Sequence, residues 1–204
     1  MVRFHPQWLK VREMVQAGAI GETRSISGQF SFYNTDPSNV RNQPNMGGGG
    51  ILDIGCYPIF AARFVWGTEP VKAASLIVEQ ADFGVDIQCS AIMEFPDRRH
   101  LSFQCSTQLD LHQRMVFQGT TGRIEVKVPF NPMPGANAPE VILYDGPALG
   151  DDHGQRIDVE DVDQYVLEVD AMNRAILGQE SWAVPRSEIM AQARAIDMVF
   201  KGQI

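Results

Sequence analysis

Asp53 and Tyr57 stand four residues apart in the stretch GGGGILDIGCYPIFAARFVWG, Gly47 to Gly67. On a helix that spacing puts a carboxylate and a phenol on one face. A phenol can give or take a proton in carbonyl and alcohol chemistry. To act as a base, its ordinary pKa of about 10 must be lowered, usually by a nearby Lys. Lys10, Lys72, Lys127 and Lys201 all lie in other elements. Residue type alone leaves a plainer reading open, in which Tyr57 packs with its hydroxyl bonded and Asp53 caps a backbone group.

The glycines before this pair allow a close approach of ligand or backbone, and N–H groups at a helix start can hold an anion. They also suit a flexible loop end. The G-x-G-x-x-G pattern fails, because Leu52 and Asp53 stand where its last glycine belongs and a loop precedes the run. No G-x-x-x-x-G-K-[ST] occurs, so the chain carries no nucleotide fingerprint. Pro58 cannot donate to the Ile54 carbonyl, so it bends the helix or frees an acceptor. His5, His100, His112 and His153 are scattered without metal-ligand spacing, and no metal site is expected. No serine elbow or Cys/His pair is visible. Arg3, Asn39 and Arg41 are the other polar residues set in apolar surroundings.

The elements that must position these residues follow from periodicity. His5–Gly18 reads as a helix, with Pro6 in the first turn and Gly18 past the end. Thr23–Tyr33 alternates as a strand. Asn34–Gly50 is a long loop, and the helix bearing Asp53 and Tyr57 follows. Strands are then expected at Val71–Gln80, Val85–Phe95, His100–Leu109, Arg114–Gln118 and Arg123–Val128, with short edges at Val141–Tyr144 and Arg156–Val159. Helices at Val162–Gly178 and Arg186–Lys201 close the chain. The pattern is α+β: an open, mostly antiparallel sheet with helices packed on one face. On the third strand Asp86, Gln88, Ser90, Ile92 and Glu94 form one face, polar but lightly charged. A plain solvent face carries more Lys and Glu, so this one is expected to be covered.

The bulk numbers narrow the function classes. The chain has 204 residues, 44% hydrophobic and 21% charged, with a net charge of −8. That suits one globular domain, residues 1–204, and argues against nucleic acid or an anionic membrane as partner. Three cysteines without paired spacing argue against a disulfide scaffold or structural zinc, and a reducing cytoplasm is the expected compartment.

MVRFHPQWLKVREMVQAGAIGE and NVRNQPNMGGGGILDIGCYPIFAARFVWGTEP resemble the second domain of the glucose–fructose oxidoreductase and inositol dehydrogenase family. The nearest branch holds sugar dehydrogenases and dihydrodiol dehydrogenase. The resemblance is strong over residues 1–72 and architectural beyond. It implies a C-terminal domain whose companion Rossmann domain, absent from this chain, binds NAD or NADP. It implies Tyr57 as general acid/base, Asp53 as its assistant, and Asn39 and Arg41 lining the substrate cleft. Arg3 and His5 would lie near the cofactor, and the Lys that lowers the Tyr57 pKa would come from the Rossmann domain. The expected substrate is a sugar- or polyol-like alcohol or hemiacetal, and the sheet face would form a homo-oligomer. The chain alone is expected to be inactive and to bind no cofactor. A module that dimerises or binds a small ligand through a vestigial cleft is the alternative, decided by whether a Rossmann fingerprint is encoded upstream.

Overall fold

Helix α1 (Pro6–Gln16) opens a computed structural model that describes residues 1–182 and 184–204. Pro6 occupies its first turn, and His5 Nδ1 accepts from the Gln7 N–H at 3.2 Å, capping an orphan donor. Trp8, Val11 and Met14 form its buried stripe. Strand β1 (Thr23–Tyr33) follows, burying Ile26, Gly28 and Phe30 and exposing Ser27 and Gln29.

After β1 the chain forms two single turns, Val40–Asn42 and Pro44–Met46, within the expected loop. The helix that carries the phenol is α2 (Cys56–Trp66). Seven strands complete the sheet. They are β2 (Lys72–Gln80), β3 (Val85–Phe95), β4 (Arg99–Ser106), β5 (Gln108–Gly119), β6 (Gly122–Val126), β7 (Val141–Asp145) and β8 (Gln155–Ile157). Helices α3 (Gln164–Ile176) and α4 (Arg186–Lys201) come last.

The strand order is β2-β3-β4-β1-β5-β6-β7-β8. The sheet is mixed: β1 lies between β4 and β5, parallel to the first and antiparallel to the second. The sequence shows β4 and β5 as successive strands of an antiparallel run. They instead part around Thr107 and flank β1, so the first strand in the chain sits at the centre of the sheet.

One face holds the core. Gly28 lets α2 approach β1 closely, since a Cβ there would stand 3.0 Å from Pro58 Cβ. Ile59, Ala61, Ala62 and Val65 of α2 are essentially inaccessible. Helix α4 buries Ala195 and Val199, and Ser75 Oγ donates to the Val199 carbonyl at 2.7 Å. The C-terminal residues then pair with β2, Ser75 N–H to Gly202 O and Ile204 N–H to Ser75 O. On the opposite face Leu76, Val78 and Ile92 remain 58%, 49% and 58% exposed, beside Ser90 and Gln29. No helix of the described residues is long and apolar enough to cross a membrane.

Candidate active site

The backbone before Tyr57 is not a plain α-helix. Residues Ile51–Gly55 form one π-helical turn that runs directly into α2. Pro58 has no N–H for the Ile54 carbonyl, which removes one α-type bond at this junction. Single π turns within helices recur at functional sites. This one carries Asp53 and leads straight to Tyr57.

Tyr57 is half-buried against aromatic rings. Phe130 and Phe30 lie 5.2 and 5.8 Å from its ring centroid, and Phe130 stacks in turn on Trp8. Its hydroxyl lies 3.8 Å from Met1 Sδ. Burial pushes the phenol well above the ordinary tyrosine range, with Cys56, Tyr165 and Asp53 adding to the effect; Arg41 pulls the other way. The phenol is therefore protonated at neutral pH and needs a further cation before it can serve as a base. The neighbouring Cys56 thiol is pushed up to about 12, by burial first and Asp53 second, so it is no nucleophile.

Asp53 is engaged by Arg41, whose Nε donates to Asp53 Oδ2 at 2.6 Å. The Arg41 guanidinium lies over the Phe32 ring at 5.5 Å. Asn39 Oδ1 accepts from the Arg41 N–H at 3.1 Å and so caps the turn that places this side chain. Three of the expected site residues, Asn39, Arg41 and Asp53, thus form one cluster at the start of the helix that presents Tyr57.

Arg3 runs along the same helix. Its guanidinium lies 5.5 Å from the Phe60 ring and 5.6 Å from Phe64, with Glu188 3.6 Å away. His5 is different. It is completely buried and spends Nδ1 on the α1 cap, and burial lowers its pKa, so it is a neutral structural cap. Its position before Pro6 in the sequence signalled a helix start, and that is the role it fills.

Several residues of the site were not singled out by sequence. Phe130 and Tyr165 reach Tyr57 from distant elements. Gln192 of α4 donates to the Cys56 carbonyl at 2.9 Å and accepts from Arg63 at 2.7 Å. Arg63, which interrupts the apolar run in α2, has a side chain only 2% exposed and forks onto Glu69 at 2.6 and 2.8 Å. Alternation along the strand places Asp86 on the open sheet face; it is instead 7% exposed and accepts from the Ile51 N–H at 2.7 Å. The signal available was a carboxylate on a strand otherwise short of charge. Among the described residues, no group of three or more His, Cys, Asp or Glu side chains is placed to hold a metal ion.

Residues 8–125 match the GFO/IDH/MocA C-terminal domain family. The chain belongs to that family. As a GFO/IDH/MocA C-terminal domain it is 37% identical over 176 residues to an uncharacterized oxidoreductase of Rhizobium meliloti, spanning 86% of this chain and 52% of the relative. It is 31% identical over 202 residues to D-xylose 1-dehydrogenase (NADP(+)) 2 of Haloferax volcanii, spanning 98% of this chain and 60% of the relative. Its fold superposes on KijD10, a 3-ketoreductase from Actinomadura kijaniata in complex with NADP and TDP-benzene. The TM-score is 0.87 at 27% identity, covering 99% of this chain and 60% of that one. The chain therefore spans between half and two thirds of the length of these relatives.

The GFO/IDH/MocA domain offers no seat for a dinucleotide phosphate at its glycine-rich helix start, because the Asp86 carboxylate already occupies those N–H groups. A second anion there would meet like charge in a buried setting. The glycine-rich helix start, with its N–H groups turned to Asp86, does not fit the phosphate end of NAD(P).

Proposed function

We propose that this chain is the substrate-binding, catalytic-residue-bearing domain of an NAD(P)-dependent oxidoreductase acting on a sugar-like alcohol, ketone or hemiacetal. The observation that carries the reading is the protonated Tyr57 phenol beside the Arg41–Asp53 pair at the rim of an apolar helix. The named relatives, a xylose dehydrogenase and a 3-ketoreductase, support the reaction and substrate class. The cofactor would be held by residues outside this chain, in a companion Rossmann domain of a two-domain protein.

Within this chain, Tyr57 Oη holds the proton that a carbonyl oxygen must receive on reduction, or that an alcohol must lose on oxidation. Reduction suits the phenol as it stands. Oxidation needs a cation close to Oη, since burial otherwise keeps the proton in place. Arg41 and Asp53 supply a donor and an acceptor close to Tyr57, suited to the vicinal hydroxyls of a sugar. Phe30 and Phe130 limit water around the phenol ring, which strengthens polar contacts made there.

The test is an assay of the complete gene product with aldoses, ketoses and their alcohols, following NAD(P)H at both cofactor settings. Activity that disappears in Tyr57→Phe while sugar binding persists supports the reading. Sugar binding without turnover in the wild-type protein would favour a non-catalytic binding module.

A further inference from the structure

Asp86 is a buried carboxylate that the proposed proton chemistry does not use. Strict alternation along β3 puts it on the open face with Gln88 and Ser90. The register between β2 and β3 differs: Val78 pairs with Gln88, the next pair is Glu79 with Asp86, and Ile87 is skipped. One extra residue in one strand is a bulge, and it turns the side chains beyond it to the other face. Asp86 therefore points towards the helices.

There it meets the glycine run. The Ile51 N–H donates to Asp86 Oδ2 at 2.7 Å, and the Gly50 N–H adds a second favourable interaction. Gly49 has φ +113°, and a Cβ on it would collide with Asp86 Oδ1. The glycines thus admit an internal carboxylate at a helix start, where N–H groups and the helix dipole favour an anion. Even so, burial outweighs these donors and raises the Asp86 pKa, with Glu79 adding to it. A buried charge held at a cost is a local conflict of the kind that collects at functional sites. Asp53 and Tyr57 lie on the same continuous helical stretch, just beyond this anchor.

We propose that Asp86 is the positioning residue of this site: seated in the Gly49–Ile51 backbone, it fixes the start of the helical stretch and thereby the placing of Asp53 and Tyr57. Its effect on turnover rests on the oxidoreductase reading; its effect on the backbone does not.

The test compares Asp86→Ala with Asp86→Asn in the complete gene product. Asn keeps one oxygen for the Ile51 N–H and Ala keeps none. In Asp86→Ala the Ile51 amide should exchange with solvent about 10-fold faster or more. Turnover should fall by about 10-fold to 10²-fold, because small misplacements of reacting groups are costly, while the KM for NAD(P)H stays at the wild-type value. Asp86→Asn should regain both the amide protection and most of the turnover. Ile124→Val, a core change in β6 away from the site, serves as the destabilised control and should keep wild-type kcat. Should Asp86→Ala not fold, Asp86→Glu takes its place: the added methylene shifts the carboxylate, and kcat must fall at unchanged KM for NAD(P)H. Wild-type Ile51 exchange in Asp86→Ala overturns the proposal, as does full turnover in a variant whose Ile51 amide is unprotected. A wild-type protein that turns over no sugar refutes the oxidoreductase reading instead. The Ile51 exchange rate then decides by itself whether Asp86 anchors this helix start.

Discussion

Arg41 and Asp53 are joined by a 2.6 Å charge-assisted hydrogen bond that ties the loop after β1 to the π turn before α2. Both side chains are partly exposed, at 39% and 26%. A pair this wet adds no more than about 1 kcal/mol to stability. Its significance is positional, since it holds a cation and a carboxylate together near the Tyr57 face of the helix. Arg41→Ala should therefore cost at most about 1 kcal/mol in thermal unfolding. The same change should raise the KM for sugar about 10-fold or more, the scale of a lost hydrogen bond to a charged group. An unchanged KM would take Arg41 out of the cleft.

Tyr57→Phe keeps the ring that packs on Phe30 and Phe130 and removes only the hydroxyl. Folding should be unaffected, while turnover should drop by about 10² to 10⁴, the usual value of a placed proton donor. Ultraviolet titration gives an independent check. The wild-type minus Tyr57→Phe difference should show a phenol that ionises above the ordinary tyrosine range, because burial favours its neutral form. A difference spectrum titrating like a free tyrosine would mean that Tyr57 is solvated.

Arg63 is the buried ionic centre between α2 and α4, meeting Glu69, Glu188 and Gln192. Arg63→Ala should destabilise the domain by about 1.5–3 kcal/mol, the scale of lost hydrogen bonds to a charged group, because the Glu69 and Glu188 carboxylates left behind reach solvent. Glu69 supplies the pH dependence. Its hydrogen bond to Arg63 lowers its pKa from the ordinary 4.5. The folded state then binds fewer protons than the unfolded one in the window just below 4.5. The stabilisation from Glu69 is complete above that pH and is lost as pH falls through the lowered value. Glu69→Gln should thus unfold more easily than wild type at neutral pH, with the gap closing in acid. A gap that stays constant down to the acid transition would show that Glu69 has no shifted pKa.

Ser90 of β3 pairs directly with Gln104 of β4 on the open sheet face, with exposed Leu76 and Ile92 beside them. Two such faces meeting across a two-fold axis give a self-complementary contact. The chain should sediment as a homodimer at micromolar concentration, with upwards of about 1,200 Å² buried in total. Ser90→Arg combined with Gln104→Arg sets four like charges across that axis and should yield monomers. A dimer that survives the double change would place the interface elsewhere.

Calorimetric titration of the 204-residue chain with NADPH or NADH should show no binding at micromolar concentrations. The Asp86 carboxylate occupies the glycine-rich helix start that a phosphate would otherwise use. Micromolar binding would reveal a cofactor seat built from other residues of this chain.

Alternation along β1, the Pro6 entry and Gly18 exit of α1, and the four-residue spacing of Asp53 and Tyr57 were all legible in the sequence. Each depends on neighbours along the chain, where sterics and periodicity act locally. The family resemblance was legible too, because it rests on contiguous motifs in the first 72 residues. The sequence therefore carried the α+β class, the existence of most elements and the pair of residues on which the proposed site rests.

Tertiary structure decided the rest. The placing of β1 between β4 and β5 depends on which strand edges meet, and no local signal records that. The bulge at Ile87 exists only in the register against β2, so alternation read along β3 alone put Asp86 on the wrong face. Phe130, Tyr165 and Gln192 reach the Tyr57 helix from elements far away in sequence, Phe130 through the core and Gln192 through a hydrogen bond to the Cys56 carbonyl. His5 became a buried cap through tertiary packing too, with Val162 and Asp161 from a distant segment beside it. Side-chain chemistry and spacing nominate the reacting groups, whereas long-range packing fixes their direction, their solvation and therefore their protonation state.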